Sequence, residues 1–181
     1  MKANFIKLVN IYERMIRMEK ITLAGASKIT SPNPVCLICT KKEDGNTNVA
    51  TVSWYTYLSF HPEMMCFAMS KKSYSGEMVR NTGKVILTIP GVGLEDIVKK
   101  CGTTTGRNID KVVEHGIEME KIEDSEISIP VGSRVAVQLT LKEYVEVGDH
   151  YLYICDVDNV YGNNDGETLY AFNGYAKISK I

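Results

Sequence analysis

Strand-like segments dominate the sequence from Pro34 onward. The runs PVCLICT, NVATVSWYTYLSF and MMCFAMS come first, KVILTIP follows, and then Val135, Val137, Leu139 and Leu141 alternate with other residues. A companion run, HYLYICDVDNVY, is apolar on both faces, and LYAFNGYAKI stands near the C-terminal end. Two helical stretches, YSGEMVRNTG and GLEDIVKKCG, are inserted between the strands. We therefore predict a mainly β protein, a β-barrel with inserted helices, instead of a doubly wound sheet.

Local turn signals support this order of elements. Asp44-Gly45 lies between the first two runs and predicts a hairpin, because the tight turn requires a positive φ that glycine adopts at little cost. Gly83 is expected to close the first inserted helix and Gly102 the second. A polar loop, TTTGRNIDK, follows the second helix.

The cysteine pattern indicates buried free thiols. Cys36 and Cys39 spell C-x-x-C, but they lie in the strand-like run PVCLICT, where residues three apart point to opposite faces. A redox-active C-x-x-C usually opens a helix, whose N-terminus stabilises the thiolate. We expect packing in place of a disulfide or a metal site, and a cytoplasmic location. The five cysteines are Cys36, Cys39, Cys66, Cys101 and Cys155.

Size and charge limit the classes of protein. A chain of 181 residues has room for one compact domain. Its 21 basic and 22 acidic residues give a net charge of -1, so we expect neither nucleic-acid nor membrane-surface binding. No apolar run approaches the length of about 20 residues that crosses a bilayer, and no secretory signal is expected.

The N-terminal segment carries apolar residues at helical spacing between positions 5 and 16. We divide the chain into a short amphipathic helix or arm, residues 1–20, and a single domain, residues 21–181. Met18 begins a second plausible start, so residues 1–17 are also open to interpretation as an appended arm or a start-site artefact.

The segment from Asn48 to Trp54 suits a planar ligand. In a strand, Thr51 and Ser53 share one face, while Asn48, Ala50 and Trp54 share the other. Small and hydroxylated side chains beside one large aromatic fit a flat ring lying against the strand. An ordinary hairpin with a core tryptophan is the alternative.

A second segment, from Ser70 to Ser75, suits an anion. A strand ends in Ser-Lys-Lys-Ser, and a helix begins near Ser75, whose first amide groups are free to bind phosphate beside lysines and hydroxyls. The alternative is a helix cap with a solvated basic turn.

Other kinds of site lack support. Gly91-Val92-Gly93 follows a strand, but Asp96 replaces the third glycine of the dinucleotide fingerprint, and its carboxylate would repel a pyrophosphate. The three histidines, His61, His115 and His150, have no metal-binding spacing, so no metal is expected. The sequence also lacks the G-x-S-x-G motif of serine hydrolases.

Six motifs in order resemble the FMN-binding split-barrel group of flavin reductase-like proteins, and within it the flavoredoxin branch. They are NPVCLICT, N-x-A-T-x-S-W from Asn48, Tyr74-Ser75, G-x-T-T-G-R-N-x-D-K ending at Lys111, G-D-H ending at His150, and Y-x-F-x-G-Y. The resemblance covers residues 32–177. Relatives often carry Ser and Phe where this chain has Thr105 and Val112, which weakens inferences about the second substrate.

The resemblance implies FMN at a homodimer interface. Asn48, Thr51, Ser53 and Trp54 would lie along the flavin, Ser70 and Ser75 near the phosphate, and Lys111, His150 and Phe172 around the ring. A lysine near flavin N1 and the C2 carbonyl would raise the reduction potential. Alternatively, Lys111 is a surface lysine, His150 a solvated turn residue, and Phe172 a core aromatic. The full expected cofactor-binding set is Asn48, Ala50, Thr51, Ser53, Trp54, Ser70, Lys71, Ser75, Lys111, His150 and Phe172.

Three functions follow as hypotheses. The first is an NAD(P)H-dependent flavin reductase, in which NADH or NADPH passes hydride to flavin N5 and the flavin reduces a small-molecule or protein acceptor. No side chain is required as a nucleophile or an obligatory acid, so the catalytic set is empty. The second is a flavoredoxin-type electron carrier without direct nicotinamide activity. The third is a flavin-free β-barrel interaction module.

Overall fold

The computed structural model describes residues 18–181, so the amphipathic helix expected between residues 5 and 16 lies outside the described residues. The helices are α1 (Leu23–Ile29), α2 (Tyr74–Thr82), α3 (Glu95–Thr103) and α4 (Lys111–Glu114). The strands are β1 (Asn33–Pro34), β2 (Cys36–Lys41), β3 (Thr47–Val52), β4 (Tyr55–Phe60), β5 (Glu63–Ser70), β6 (Lys84–Pro90), β7 (Met119–Lys121), β8 (Ser128–Pro130), β9 (Ser133–Val147), β10 (His150–Gly162), β11 (Tyr170–Phe172) and β12 (Lys177–Ser179).

One large antiparallel sheet dominates the molecule. Its seven strands follow the order β3-β2-β6-β9-β10-β5-β4, and two small sheets, β1-β11-β12 and β7-β8, flank it. The long strands β9 and β10 pair along their whole length, from His150 opposite Val147 to Gly162 opposite Val135. The prediction of a mainly β protein with inserted helices is confirmed.

The two edges of this sheet belong to consecutive strands. β3 and β4 lie at opposite ends of the strand order, yet only Ser53 and Trp54 separate them in sequence. Three Cα–Cα steps join Val52 to Tyr55 and span at most about 11 Å, so the sheet must curl until these strand ends come close together. Within residues 18–181 no ladder pairing joins β3 to β4, and the barrel is therefore split at Ser53-Trp54.

The single run NVATVSWYTYLSF expected from the sequence is wrong at this point, because the chain forms two strands there. β3 pairs with β2, whereas β4 pairs with β5, and three other strands separate these two partners in the sheet. The carbonyl oxygen of Trp54 accepts a hydrogen bond from the backbone amide of Ala68 at 2.8 Å, which fixes the start of β4.

The core lies on both faces of β2. Cys36 and Ile38 pack inside the barrel with Phe67 and other buried residues, while Leu37 and Cys39 pack on the outer face toward α3 and the small sheets. All five cysteines are free and buried, and the two of the C-x-x-C motif occupy opposite faces as expected. Burial raises the pKa of all five thiols, to about 12 for Cys155, so they stay protonated at neutral pH.

Two of the three glycines expected at turns or helix ends occupy those places, but Gly102 does not, because α3 continues to Thr103 and its C-cap is Thr104. Gly45 has φ 85° in the hairpin between β2 and β3, and Gly83 has φ 68° at the end of α2. Helix α2 begins at Tyr74, the first residue of the predicted stretch YSGEMVRNTG, and Ser73 is its N-cap, whose Oγ accepts a hydrogen bond from the Gly76 amide at 3.2 Å. No helix within residues 18–181 has the length and apolar character needed to cross a membrane.

We predict that Leu37→Ala lowers the free energy of unfolding by about 2 to 5 kcal/mol, because Leu37 is fully buried and its truncation leaves a cavity. Urea denaturation measures the change. The matched control is Leu23→Ala, at a side chain that is 84% exposed, which should shift the free energy by less than about 0.5 kcal/mol. Equal losses at both positions would contradict the assigned core.

Candidate functional site

A cleft of about 440 Å³ opens where the barrel is split. Its walls come from the end of β3, the start of α2, the end of α3 and the loop that precedes α4. The lining residues are Ala50, Thr51, Val52, Ser53, Trp54, Ala68, Met69, Ser70, Lys72, Ser73, Tyr74, Ser75, Cys101, Gly102, Thr104, Thr105, Gly106, Lys111, His150 and Tyr175. The cleft volume falls within the usual range for small-molecule sites.

Eight of the eleven residues expected from the sequence line this cleft, and three do not. Those at the cleft are Ala50, Thr51, Ser53, Trp54, Ser70, Ser75, Lys111 and His150. The expected separation of two strand faces does not hold, because the strand ends at Val52 and the chain turns at Ser53. Asn48, Lys71 and Phe172 do not line the cleft.

Asn48 supports the cleft from behind. Only 2% of the residue is exposed, and its Nδ2 donates to Ser75 Oγ at 2.7 Å. Its Oδ1 is buried without a hydrogen-bond partner and lies against Gly106, where a Cβ atom would come within 2.0 Å of it. Asn48 therefore orients Ser75 and restricts position 106 to glycine.

The two other outlying residues have neighbours that reach the cleft. Lys71 forms an ion pair with Glu146, whereas the next residue, Lys72, lines the cleft. The Phe172 ring lies 5.6 Å from the Nζ of Lys177, and Tyr175 lines the cleft in its place.

An aromatic pair forms one wall. The rings of Trp54 and His150 lie 4.8 Å apart at 42°. His150 Nδ1 lies 2.8 Å from Asp149 Oδ1, and this hydrogen bond holds the pKa of the Asp149 carboxyl below its usual value. Because 57% of Trp54 is exposed, the wall offers a flat aromatic surface to a ligand.

The start of α2 forms a side of the cleft that is rich in hydrogen-bond donors. The Ser73 amide donates to the Ser70 carbonyl at 2.8 Å, which places both hydroxyl-bearing residues at the helix start. The amides of Tyr74 and Ser75 have no acceptor within the helix, and the helix dipole adds partial positive charge. Lys72 borders the same region. Together these groups suit a phosphate.

Lys111 is a buried ammonium at the inner end of the cleft. It is only 3% exposed, and its Nζ donates to the carbonyl oxygens of Val49 at 3.0 Å and Cys101 at 2.8 Å. Burial lowers its pKa, and the alternative of a surface lysine is wrong. An ammonium has three N–H donors, so one is left for a ligand.

Several lining residues were not expected from the sequence. Lys72 and Ser73 lie inside the Ser-Lys-Lys-Ser segment, and Tyr175 ends the Y-x-F-x-G-Y motif. Both segments were predicted to bind the cofactor, but through neighbouring residues. Cys101 carried no local signal, and Gly106 stood in the G-x-T-T-G-R-N-x-D-K motif without a role of its own. They reach the cleft through the packing of α3 and the following loop on β3.

The family model described as the flavin reductase like domain matches residues 29–179. The chain belongs to this family. The resemblance drawn from the six motifs is thereby confirmed.

Solved structures share the fold. An FMN-binding protein from Thermus thermophilus with bound p-hydroxybenzaldehyde has a TM-score of 0.78 at 20% identity, over 91% of this chain and 95% of that one. Flavoredoxin of Desulfovibrio vulgaris has a TM-score of 0.75 at 19% identity, over 90% and 93%. The NADH:FAD oxidoreductase SgcE6 of Streptomyces globisporus has a TM-score of 0.78 at 12% identity, over 91% and 98%. These identities establish the fold alone.

Curated relatives are longer than the matched region. An uncharacterized Archaeoglobus fulgidus protein is 25% identical over 115 residues, which are 62% of this chain and 64% of that protein. The uncharacterized protein YddH of Escherichia coli is 28% identical over 104 residues, 57% of this chain and 55% of that protein. The matches with three such relatives span 55% to 64% of their lengths.

We predict that Gly106→Ala lowers the free energy of unfolding by about 1 to 3 kcal/mol, because the new methyl group overlaps Asn48 Oδ1 and forces the loop to shift. Urea denaturation again measures the change. At Gly162 the nearest atom to an added Cβ is 3.9 Å away, so Gly162→Ala is the matched control and should have little effect. Equal stability of the two variants would contradict the described wall.

The lowered pKa of Lys111 predicts that the free energy of unfolding depends on pH. Because burial lowers its pKa, the folded state releases the proton before the unfolded state, whose pKa stays near 10.5. The stability of the parent protein relative to Lys111→Met should therefore rise as pH increases from the lowered pKa toward 10.5, and level off above it. Urea denaturation of both proteins over an alkaline pH series measures this difference. A flat or falling difference would contradict an ammonium held in a buried site.

Proposed function

We propose that the protein binds FMN in the cleft and works as an NAD(P)H-dependent flavin reductase. One observation carries this proposal: an exposed aromatic wall, a phosphate-compatible helix start and a buried ammonium converge on one cavity in a member of the flavin reductase-like family. The three features match the three parts of FMN, which are a planar ring, an anionic phosphate and an electron-accepting polar edge.

The polar atoms of the cleft also fit FMN. Ser53 Oγ is buried and makes no hydrogen bond of normal geometry, although the Tyr175 side chain lies near it. A ligand with donors and acceptors on its edge would satisfy this hydroxyl. Ser70, Ser73 and the amides that begin α2 would hold the phosphate, and Lys72 would add a charge.

The chain's own residues would set the properties of the cofactor. Bound FMN supplies two-electron chemistry, with N5 as the hydride acceptor. Lys111 would stabilise added negative charge on the ring edge and so raise the reduction potential. Trp54 and His150 would fix the plane of the ring, and no lining residue needs to act as a nucleophile.

We also propose a two-fold homodimer with FMN at the interface. Trp54 and Tyr175 are at least half exposed at the cleft mouth, so a single subunit leaves part of a bound ring uncovered. A second subunit related by two-fold symmetry would cover it. The free buried cysteines agree with the proposed cytoplasmic location, where thiols stay reduced. Either NADH or NADPH would be the reductant, and a small molecule or a protein the acceptor.

A flavoredoxin-type electron carrier is the second candidate. Exposed apolar residues continue from Trp54 along β4, where Tyr57 and Phe60 are 61% and 72% exposed. Such a surface beside the cofactor would suit a protein electron partner. A flavin-free interaction module is the third candidate, and it predicts that added FMN does not bind.

The visible spectrum of the purified full chain separates these candidates. A flavin reductase retains flavin absorbance and is bleached rapidly without oxygen by NADH or NADPH. A carrier is yellow but is reduced slowly by either nicotinamide and rapidly by a protein donor. A protein that stays colourless at saturating FMN contradicts both flavin functions.

We predict that Lys72→Ala raises the dissociation constant for FMN by about fivefold to tenfold, because it removes a charged partner of the phosphate. Lys71→Ala is the matched control, since Lys71 is paired with Glu146 and does not line the cleft. Flavin-binding titrations compare the two variants. A larger loss in Lys71→Ala than in Lys72→Ala would place the phosphate elsewhere.

A further inference from the structure

Lys111 is the first residue of a helix of only four residues, α4. One helical turn is too short to persist on its own hydrogen bonds, so groups outside α4 must hold it in place. The Lys111 side chain reaches the inner end of the cleft from this first position, where its Nζ donates to two main-chain carbonyls. The position of the ammonium therefore depends on whatever fixes the start of α4.

Asp110 caps the start of α4. Its Oδ1 accepts hydrogen bonds from the amides of Val112 at 3.0 Å and Val113 at 3.2 Å, which have no acceptor within the helix. Its other oxygen, Oδ2, accepts a hydrogen bond from Lys42 Nζ at 2.8 Å. Both oxygens of the carboxylate are thus used, and they join the start of α4 to Lys42.

Lys42 connects this cap to the barrel. Its side chain is only 11% exposed and also pairs with Asp44 at 3.0 Å. In the hairpin between β2 and β3, its amide donates to the Asn46 carbonyl at 2.8 Å, and its carbonyl accepts from the Gly45 amide at 3.0 Å. The hydrogen bond between Lys42 and Asp110 raises the pKa of Lys42 and lowers that of Asp110, so both stay charged at neutral pH.

Asp110 and Lys111 bind the same hairpin at two places. Asp110 contacts its turn through Lys42, whereas Lys111 contacts strand β3 at the Val49 carbonyl, 3.0 Å from Nζ. Two attachments through consecutive residues fix the start of α4 relative to the cleft. Without the first attachment, the ammonium would stand at the end of a flexible four-carbon side chain on a helix that has no cap.

We infer that Asp110, held by Lys42, is a positioning residue for the Lys111 ammonium. Asp110 does not line the cleft, so it acts on a bound ligand through Lys111. The inference rests on the proposed function, in which the ammonium stabilises negative charge on the reduced flavin. The preference of the cleft for reduced over oxidised FMN therefore depends on Asp110 as well as on Lys111.

The test is a double-mutant cycle in the full chain, with Asp110→Ala, Lys111→Met and the two together. Dissociation constants for oxidised and reduced FMN are measured without oxygen, and their ratio gives the preference. We expect Asp110→Ala to lower this preference about fivefold, the factor equivalent to the loss of a typical N-cap. The double variant should match Lys111→Met, because Asp110 acts through the ammonium. Additive losses, or an unchanged preference in Asp110→Ala, would overturn the inference.

Three further variants separate positioning from general stability. Thr22→Ala is the matched control, because it removes the N-cap of α1, where Thr22 Oγ1 accepts from the Gly25 amide at 3.0 Å outside the cleft. It should leave the preference unchanged, and a loss as large as that of Asp110→Ala overturns the inference. Asp110→Asn and Lys42→Met keep the cap but lose the ion pair, so each should lower the preference only about twofold. If Asp110→Ala does not fold, an unchanged preference in both of these variants overturns the inference.

The chain without cofactor provides a second readout. Burial lowers the pKa of Lys111, and the neighbouring Cys101 thiol opposes this shift. The alkaline rise in the stability of the parent relative to Lys111→Met should fall to about half or less in the Asp110→Ala background, because a displaced ammonium is better solvated. An equal rise in both backgrounds overturns the inference. A parent chain that binds no FMN overturns the proposed function alone, and the stability measurements then decide the role of Asp110.

Discussion

The structure depends on one crossing of the chain, at Ser53 and Trp54. These two residues carry the backbone from one edge of a seven-stranded sheet to the other, so the sheet must close on itself there. Within the described residues no ladder hydrogen bonds join the two edges, and Ser53 and Trp54 belong to neither strand. Because the chain joins the two edges and ladder hydrogen bonds do not, a cleft remains between them. We call this boundary at Ser53 and Trp54 the seam of the barrel. The residues of the crossing, Ser53 and Trp54, therefore line the site.

The same seam is held together by polar groups that are buried. Lys111 bridges the Val49 carbonyl of β3 and the Cys101 carbonyl at the end of α3, so the ammonium ties the barrel edge to a helix. Asn48 links β3 to Ser75 at the start of α2. Burying an ammonium without a paired carboxylate is costly, and a nearby anionic or electron-rich ligand would offset part of that cost. Lys111 thus has a packing role, and the proposed function would give it a role in ligand binding as well.

Sequence patterns predicted the strands, the hairpin at Gly45 and the end of α2 at Gly83, because alternation and positive φ are local properties. The break at Ser53 escaped prediction, since it arises from strand pairing with β2 and β5. Motif resemblance and the Ser-Lys-Lys-Ser segment marked most of the cleft, although Lys72 and Tyr175 line it and the expected Lys71 and Phe172 do not. Which side chain of these segments faces the cleft depends on the turns after β5 and β11, and the sequence does not show the geometry of those turns. Cys101 depends on helix packing and has no local signature, and the motif that contains Gly106 does not show that this residue lies against Asn48.

The central claim is that flavin lies in the seam beside Trp54. The chain contains one tryptophan, so its fluorescence reports on this site alone. Titration of the full chain with FMN should quench the tryptophan emission and saturate at one FMN per chain, in parallel with the change in flavin absorbance. Flavin binding that leaves the tryptophan emission unchanged, or the lack of any binding at saturating FMN, would contradict the account.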